Sequence, residues 1–246
     1  MRSTIALLAL ALVPTASAAV APRAARAARS PRSAIVAKLA AGPTGYVLKG
    51  EVDEEALLAQ STFPIKPPAL IELAKRVLGD EYKVGLNDES ILADDFEFCA
   101  PVVGPLAKEP YLGALRTFKI EDAFPDNDPQ FHGWRVDPFQ HNRVWFNVRP
   151  VATHTGDTPF FGKPTGKRLE LPPQSYSMIF NEAGKVRELT VGYPIDRRLG
   201  NTGGLGGAFG YMYGVGKGLP IPECKPYKRS WQFRLLNFIG ARFRRN

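Results

Sequence analysis

Cysteine and histidine are scarce in this chain: two of the first and three of the second among 246 residues. Cys99 and Cys224 cannot frame a disulfide-rich scaffold, which leaves one disulfide or two buried free thiols. No spacing of two Cys and three His supplies the four ligands of a structural zinc, so no metal is expected. Acids are missing from both ends. Residues 1–50 hold seven basic residues and no Asp or Glu, and so do residues 225–246. Residues 51–224 carry all 24 acids beside 18 Lys and Arg, a net charge of −6. The overall +8 therefore belongs to the termini. An acidic body excludes a nucleic-acid-binding core, which needs a basic face. Nucleotide fingerprints are absent as well. After Gly204 and Gly206 the third glycine slot is Phe209, and Gly216-Lys217-Gly218 lacks the hydroxyl of a phosphate loop. No cofactor is expected, and there is no internal repeat. Hydrophobic residues at 44% and charged residues at 23% exclude wholesale disorder.

The N-terminus reads as an address. Arg2, the apolar run Ile5 to Val13 and the small-x-small sequence Ala16-Ser17-Ala18 form the three parts of a signal peptide over residues 1–18. The following Ala- and Arg-rich stretch, residues 19–45, has transit-peptide composition. Together they resemble the bipartite plastid presequence of algae with secondary red plastids. That resemblance implies import into a plastid, although the aromatic usual after the cleavage site is replaced by Ala19. The competing reading is secretion with a basic pro-segment.

Periodicity organises the body. Residues 51–61 and 67–79 read as helices. The second opens on Pro67-Pro68, repeats Leu70, Leu73, Ala74, Val77 and Leu78 at helical spacing, and stops at Gly79. Phe96-Glu97-Phe98 alternates like a strand, and residues 108–118 read as a helix. Strand periodicity then takes over at residues 131–136, 143–155 and 167–171. A hairpin, 174–180 with 186–193, turns through Asn181-Glu182-Ala183-Gly184. Helices first and strands later predict an α+β fold with an antiparallel sheet packed on helices.

Three stretches carry a resemblance: His154-Thr155-Gly156, Phe161-Gly162-Lys163-Pro164-Thr165-Gly166-Lys167, and Gly184-Lys185-Val186-x-Glu188. They resemble the SnoaL-like polyketide cyclases, over roughly residues 67–198 of a domain placed at 51–198. The resemblance implies a nuclear transport factor two-like cone, a curved antiparallel sheet wrapped around helices with an apolar pocket in its mouth. It implies a small apolar ligand, and it leaves catalysis open between isomerase or cyclase chemistry and binding alone.

His154 occupies the family's His-x-Gly position. On strand alternation it shares a face with Val144, Phe146, Val148 and Ala152. It is the candidate general acid or base, beside the alternative of a half-buried structural histidine. In active members a polar or acidic residue follows the Glu matching Glu188; here Leu189 follows. Asp196 is the candidate replacement carboxylate, although Arg197 and Arg198 beside it suit an ion pair. Tyr111, Tyr176 and Phe146 are the candidate ligand-binding residues, the phenols as donors to a carbonyl. Asp94-Asp95 and the opposite face with Trp145, Asn147 and Arg149 are weaker candidates. His132 and His141 have no carboxylate at a metal-binding spacing.

Residues 199–229 are rich in Gly and Pro. Gly206, Gly210, Gly214 and Gly218 form a small-xxx-small series, yet so much glycine opposes an autonomous helix, and a loop packed by its aromatics is expected. Residues 230–246 read as a basic amphipathic helix. Trp231, Leu235, Leu236, Phe238, Ile239 and Phe243 fall in one sector, and Arg234, Asn237, Arg244 and Arg245 in the other, with Arg242 intruding on the apolar side. Such a helix docks on a thylakoid membrane surface or a protein complex, or else covers the pocket mouth. Homo-oligomerisation is left open.

Overall fold

The computed structural model describes residues 48–243. The signal and transit expectations, residues 1–45, lie outside them. Residues 48–51 form a turn closed by Glu51 N–H on Leu48 O. The architecture below concerns the unit Val52–Asn246.

Two helices open it: α1, Glu54–Ala59, capped by the Asp53 side chain, and α2, Pro67–Leu78, with proline in its first turn. The helical spacing read from α2 holds, because Leu70, Ala74 and Val77 are fully buried. Two 3-10 turns lead into β1, Leu92–Cys99. Then follow β2 (Leu106–Ala107), α3 (Lys108–Thr117) and α4 (Ile120–Ala123). The strands β3 (His132–Val136), β4 (Arg143–Val148), β5 (Val151–Thr153), β6 (Arg168–Glu170), β7 (Gln174–Phe180) and β8 (Val186–Pro194) come next. The chain ends with α5, Gly207–Gly214, and α6, Trp231–Phe243.

Six strands form one sheet in the order β2-β1-β8-β7-β4-β3, and β5 and β6 form a separate pair. The expected hairpin is β7 with β8, turning at Gly184 with φ +76°. The sheet is antiparallel except that β1 and β8 run parallel, a consequence of the helices and crossover between them. Register shifts in β1, β3, β7 and β8 mark bulges, which bend the sheet around its contents. Inside the bend α2 and α3 pack on Phe96, Val144, Phe146, Val148, Met178, Phe180 and Leu189. On the outer face Arg143 donates to Ser177 Oγ (2.6 Å) and pairs with Glu188 (3.0 Å).

The strand expected over 143–155 is broken. Pro150 offers no N–H to the sheet, and Arg149 N–H turns to Pro129 O (2.9 Å). Val144, Phe146 and Val148 stay in the main core, whereas Ala152 and His154 leave it. A second core gathers around Phe124 and Phe161, with Ala123, Ala152, Leu169, Leu171, Tyr211, Met212 and Val215. The glycine-rich segment supplies part of it as a helix where a loop was expected. Packing decides this: a Cβ on Gly210 would sit 2.4 Å from Leu205 O, and one on Gly214 2.7 Å from Leu169 Cδ2. Glycine's poor helix propensity is outweighed by this close approach to the domain. The buried Gln174 side chain anchors the helix by accepting from Gly207 N–H (2.8 Å).

Candidate functional site

The two cores leave a gap between them. It is a cleft of about 1620 Å³, above the roughly 300–1,000 Å³ usual for small-molecule sites. From the first core Phe98, Tyr111, Leu115, Val148, Tyr176, Leu189 and Val191 face it; from the second side come Phe118, Ile120, Phe209, Tyr211 and Met212. The lining is mostly apolar. β4, β7 and β8 end at one level, where Val148 pairs with Gln174 and Gln174 with Pro194, and residues of α4 and α5 line the space there.

A few polar groups interrupt that lining. Tyr111 donates to Val84 O (3.1 Å) and is spent on the fold. The Tyr211 hydroxyl donates to Asn127 Oδ1, which leaves the Asn127 amide nitrogen as a donor. Both residues line the cleft. The Tyr176 hydroxyl makes no hydrogen bond among the described residues, and its ring leans on Phe146 at 5.5 Å between centroids. Burial pushes the Tyr111, Tyr176 and Tyr211 phenols well above their ordinary pKa, so all three stay neutral donors at physiological pH.

The expected site residues separate. Tyr111 and Tyr176 line the cleft; Phe146, His154 and Asp196 are not among its lining residues. Phe146 lies one layer behind, stacked on Trp134 at 4.5 Å. His154 is fully buried in the second core, 5.1 Å from the Phe124 ring and 6.4 Å from Phe161. Its Nδ1 meets Thr165 Oγ1 at 3.1 Å, while Nε2 has no partner. Burial lowers its pKa, so the imidazole is neutral. The motif around it builds structure. Thr155 and Gly156 N–H donate to Ala123 O, and a Cβ on Gly156 would stand 1.7 Å from Asp122 O. Asp196 binds Arg198 at 2.7 Å, and the guanidinium holds its carboxyl down to about 2. No pairing of His154 with Asp196 forms.

The weaker candidates find structural partners. Asp95 pairs with Arg187 (2.8 Å), Trp145 donates to Asp137 (2.7 Å), and His132 and His141 contact backbone carbonyls. Cys99 and Cys224 are free thiols. Among the described residues no group of three His, Cys, Asp or Glu is placed to hold a metal.

Chemically, the cleft lining contains no histidine, and its carboxylates, Glu121, Asp122 and Glu223, are all exposed. Leu189 faces the cleft at the position where the resemblance implies a polar residue in active members, while Glu188 points outward to Arg143. The arrangement can bury an apolar molecule and donate hydrogen bonds to one of its oxygens. Sequence reasoning missed Asn127 and the hydroxyl role of Tyr211. Asn127 follows Pro125 and Asp126 in a segment read as a break, and Tyr211 lay in a segment read as a loop.

No family model matches the chain, and no curated protein does. Solved structures similar to it include a protein from Jannaschia sp. CCS1 with the provisional description SnoaL-like polyketide cyclase, at 17% identity and TM-score 0.41, covering 54% of this chain and 89% of that one. Another is IdmH from Streptomyces antibioticus, provisionally described as a polyketide cyclase, at 14% and TM-score 0.40, covering 55% and 94%. A third is an NTF2-like protein of unknown function from Exiguobacterium sp. 255-15, at 14% and TM-score 0.35, covering 50% and 92%.

Proposed function

We propose that this protein binds a small apolar molecule bearing a carbonyl or similar oxygen acceptor in the cleft between its two cores. The carrying observation is the unpartnered Tyr176 hydroxyl on a largely apolar wall, with the Asn127 amide as a second donor on the same lining. A buried neutral phenol is a good donor to a ketone and a poor base. Isomerase or cyclase chemistry needs a group that takes a proton beside the carbonyl. The lining offers neither an imidazole nor a buried carboxylate, which favours binding over proton transfer.

Prodan, a small naphthyl ketone whose emission reports hydrogen bonding at its carbonyl, tests the reading. Saturable binding to the full chain is expected. Tyr176→Phe removes one hydrogen bond, worth about 1 kcal/mol, and should weaken binding about five-fold with a blue-shifted bound emission. Absence of saturable binding, or an unchanged Tyr176→Phe variant, rejects it.

A second reading, a non-enzymatic module docked on a thylakoid membrane or a protein complex, is favoured by the exposure of every residue from Trp231 to Ile239. We further propose plastid import from the composition of residues 1–45. N-terminal sequencing from the native cell checks it: a terminus between Arg32 and Tyr46 supports import, and one at Ala19 indicates secretion.

A further inference from the structure

The cleft's mouth and α6 are neighbours in the chain. Lys225 and Lys228 line the cleft, and α6 begins three residues later, its first turn capped by Ser230 Oγ accepting from Phe233 N–H at 3.2 Å. Arg197, Lys225 and Lys228 are exposed and make no ion pair among the described residues; Arg197 lies over the Tyr227 ring at 5.4 Å. The other cations of the lining, Lys83, Arg116 and Lys119, are each held by a carboxylate. From Lys225 to Phe243 there is no acid. Val102, Val103 and Tyr227 of the same lining are exposed apolar groups. On α6, Trp231, Leu235, Leu236 and Phe238 are 49–69% exposed.

We infer that this face rests on an anionic lipid bilayer and that the cleft takes its ligand, a membrane-soluble apolar ketone or quinone-like compound, directly from that bilayer. The inference rests on the binding reading above. The unpaired cations of the acid-free stretch from Lys225 to Phe243 match a negative surface, and large exposed aromatics gain by burial among acyl chains. A helix of 13 residues spans about 20 Å, short of a roughly 30 Å hydrocarbon core, so α6 lies in the interface plane. Among the described residues no helix is long and apolar enough to cross a membrane. With α6 seated, Lys225, Tyr227 and Lys228 stand at headgroup level, and the apolar rim offers a path that avoids water.

Laurdan, a water-insoluble naphthyl ketone, provides the test. The full chain receives it either from a dilute ethanol stock or preloaded in vesicles of phosphatidylglycerol or of phosphatidylcholine. Transfer from the anionic vesicles should be at least ten-fold faster and should rise with vesicle concentration. A double variant Leu236→Ser, Phe238→Ser and a second, Arg229→Glu, Arg234→Glu, both outside the cleft lining, should each fall to the neutral-vesicle rate while still binding laurdan from ethanol. Equal rates from both vesicles, independent of vesicle concentration, with ethanol-delivered binding intact, would overturn membrane loading and leave the binding reading standing. Failure to float with anionic vesicles at low salt would also overturn it and assign α6 to a protein partner. No binding from ethanol would remove the binding reading and this inference together.

Discussion

The core under the six-stranded sheet and the core around Phe124 and Phe161 bury similar side chains but are specified differently. In the first, burial follows local period. Val144, Phe146 and Val148 alternate along β4, and Leu70, Ala74 and Val77 repeat along α2. In the second, the strands are three residues long, and its shape depends on where backbones can touch. Gly156 lies against Asp122 and Ala123, and Gly210 against Leu205 and Leu171. A periodic core tolerates inspection one element at a time. A contact-built core does not, because each glycine has meaning only with its distant neighbour. The cleft exists because the two do not merge.

The largest expected effect breaks the second core at its tightest point. Gly156→Ala places a methyl 1.7 Å from a backbone oxygen, and relief requires moving the chain. A loss of about 3 kcal/mol or more is expected in urea unfolding. Gly113→Ala is the matched control from the first-core helix α3. Nothing lies within 4 Å of its new Cβ, and it should gain up to about 1 kcal/mol. A neutral Gly156→Ala would mean that the His-x-Gly motif is not held by this contact.

Next comes His154→Ala, which opens a hole between Phe124 and Phe161 but also removes an unpartnered nitrogen. The two effects leave an expected loss of about 2 kcal/mol, with prodan affinity of the folded protein unchanged. Loss of binding with full stability would move His154 from the core to the site.

The same residue makes the second core sensitive to acid. Burial depresses the folded pKa of His154 below its ordinary 6.5, so the unfolded chain takes the proton first. Its contribution is complete above that value and is lost as pH falls toward the folded pKa. Unfolding midpoints at pH 7.5 and 5 should therefore separate more for the native chain than for His154→Leu; equal separations would contradict a buried neutral imidazole. Asp196, held near 2 by Arg198, acts only below about 4 and does not interfere in that window.

The smallest effect is expected outside both cores. The pair Leu236→Ser and Phe238→Ser on α6 should change stability by less than about 0.5 kcal/mol, because both side chains are already exposed. A drop comparable to that of His154→Ala would make α6 part of the domain core.

Much of the fold was legible. The α2 and α3 boundaries, the β7–β8 hairpin and its glycine turn followed from spacing and turn chemistry. The site was legible only in part. Tyr111 and Tyr176 line the cleft, but alternation carried His154 past Pro150 onto a face that the chain had already left. A proline just past the end of a strand leaves the apolar period intact while ending the ladder, so the pattern alone does not show the break.

The sequence by itself determined what depends on neighbours a few residues apart: amphipathic helices, alternating strands, the glycine turn of the hairpin, the acidic body and the basic tail. These follow from periods of 3.6 and two and from summed charge, which need no tertiary information. Only the tertiary structure decided that His154 is core, that glycines at 207–214 make a helix, and that Tyr211 meets Asn127 across 84 residues. A buried polar atom's role is set by what surrounds it in space, and a glycine's by how near another backbone comes. Both are consequences of non-local packing.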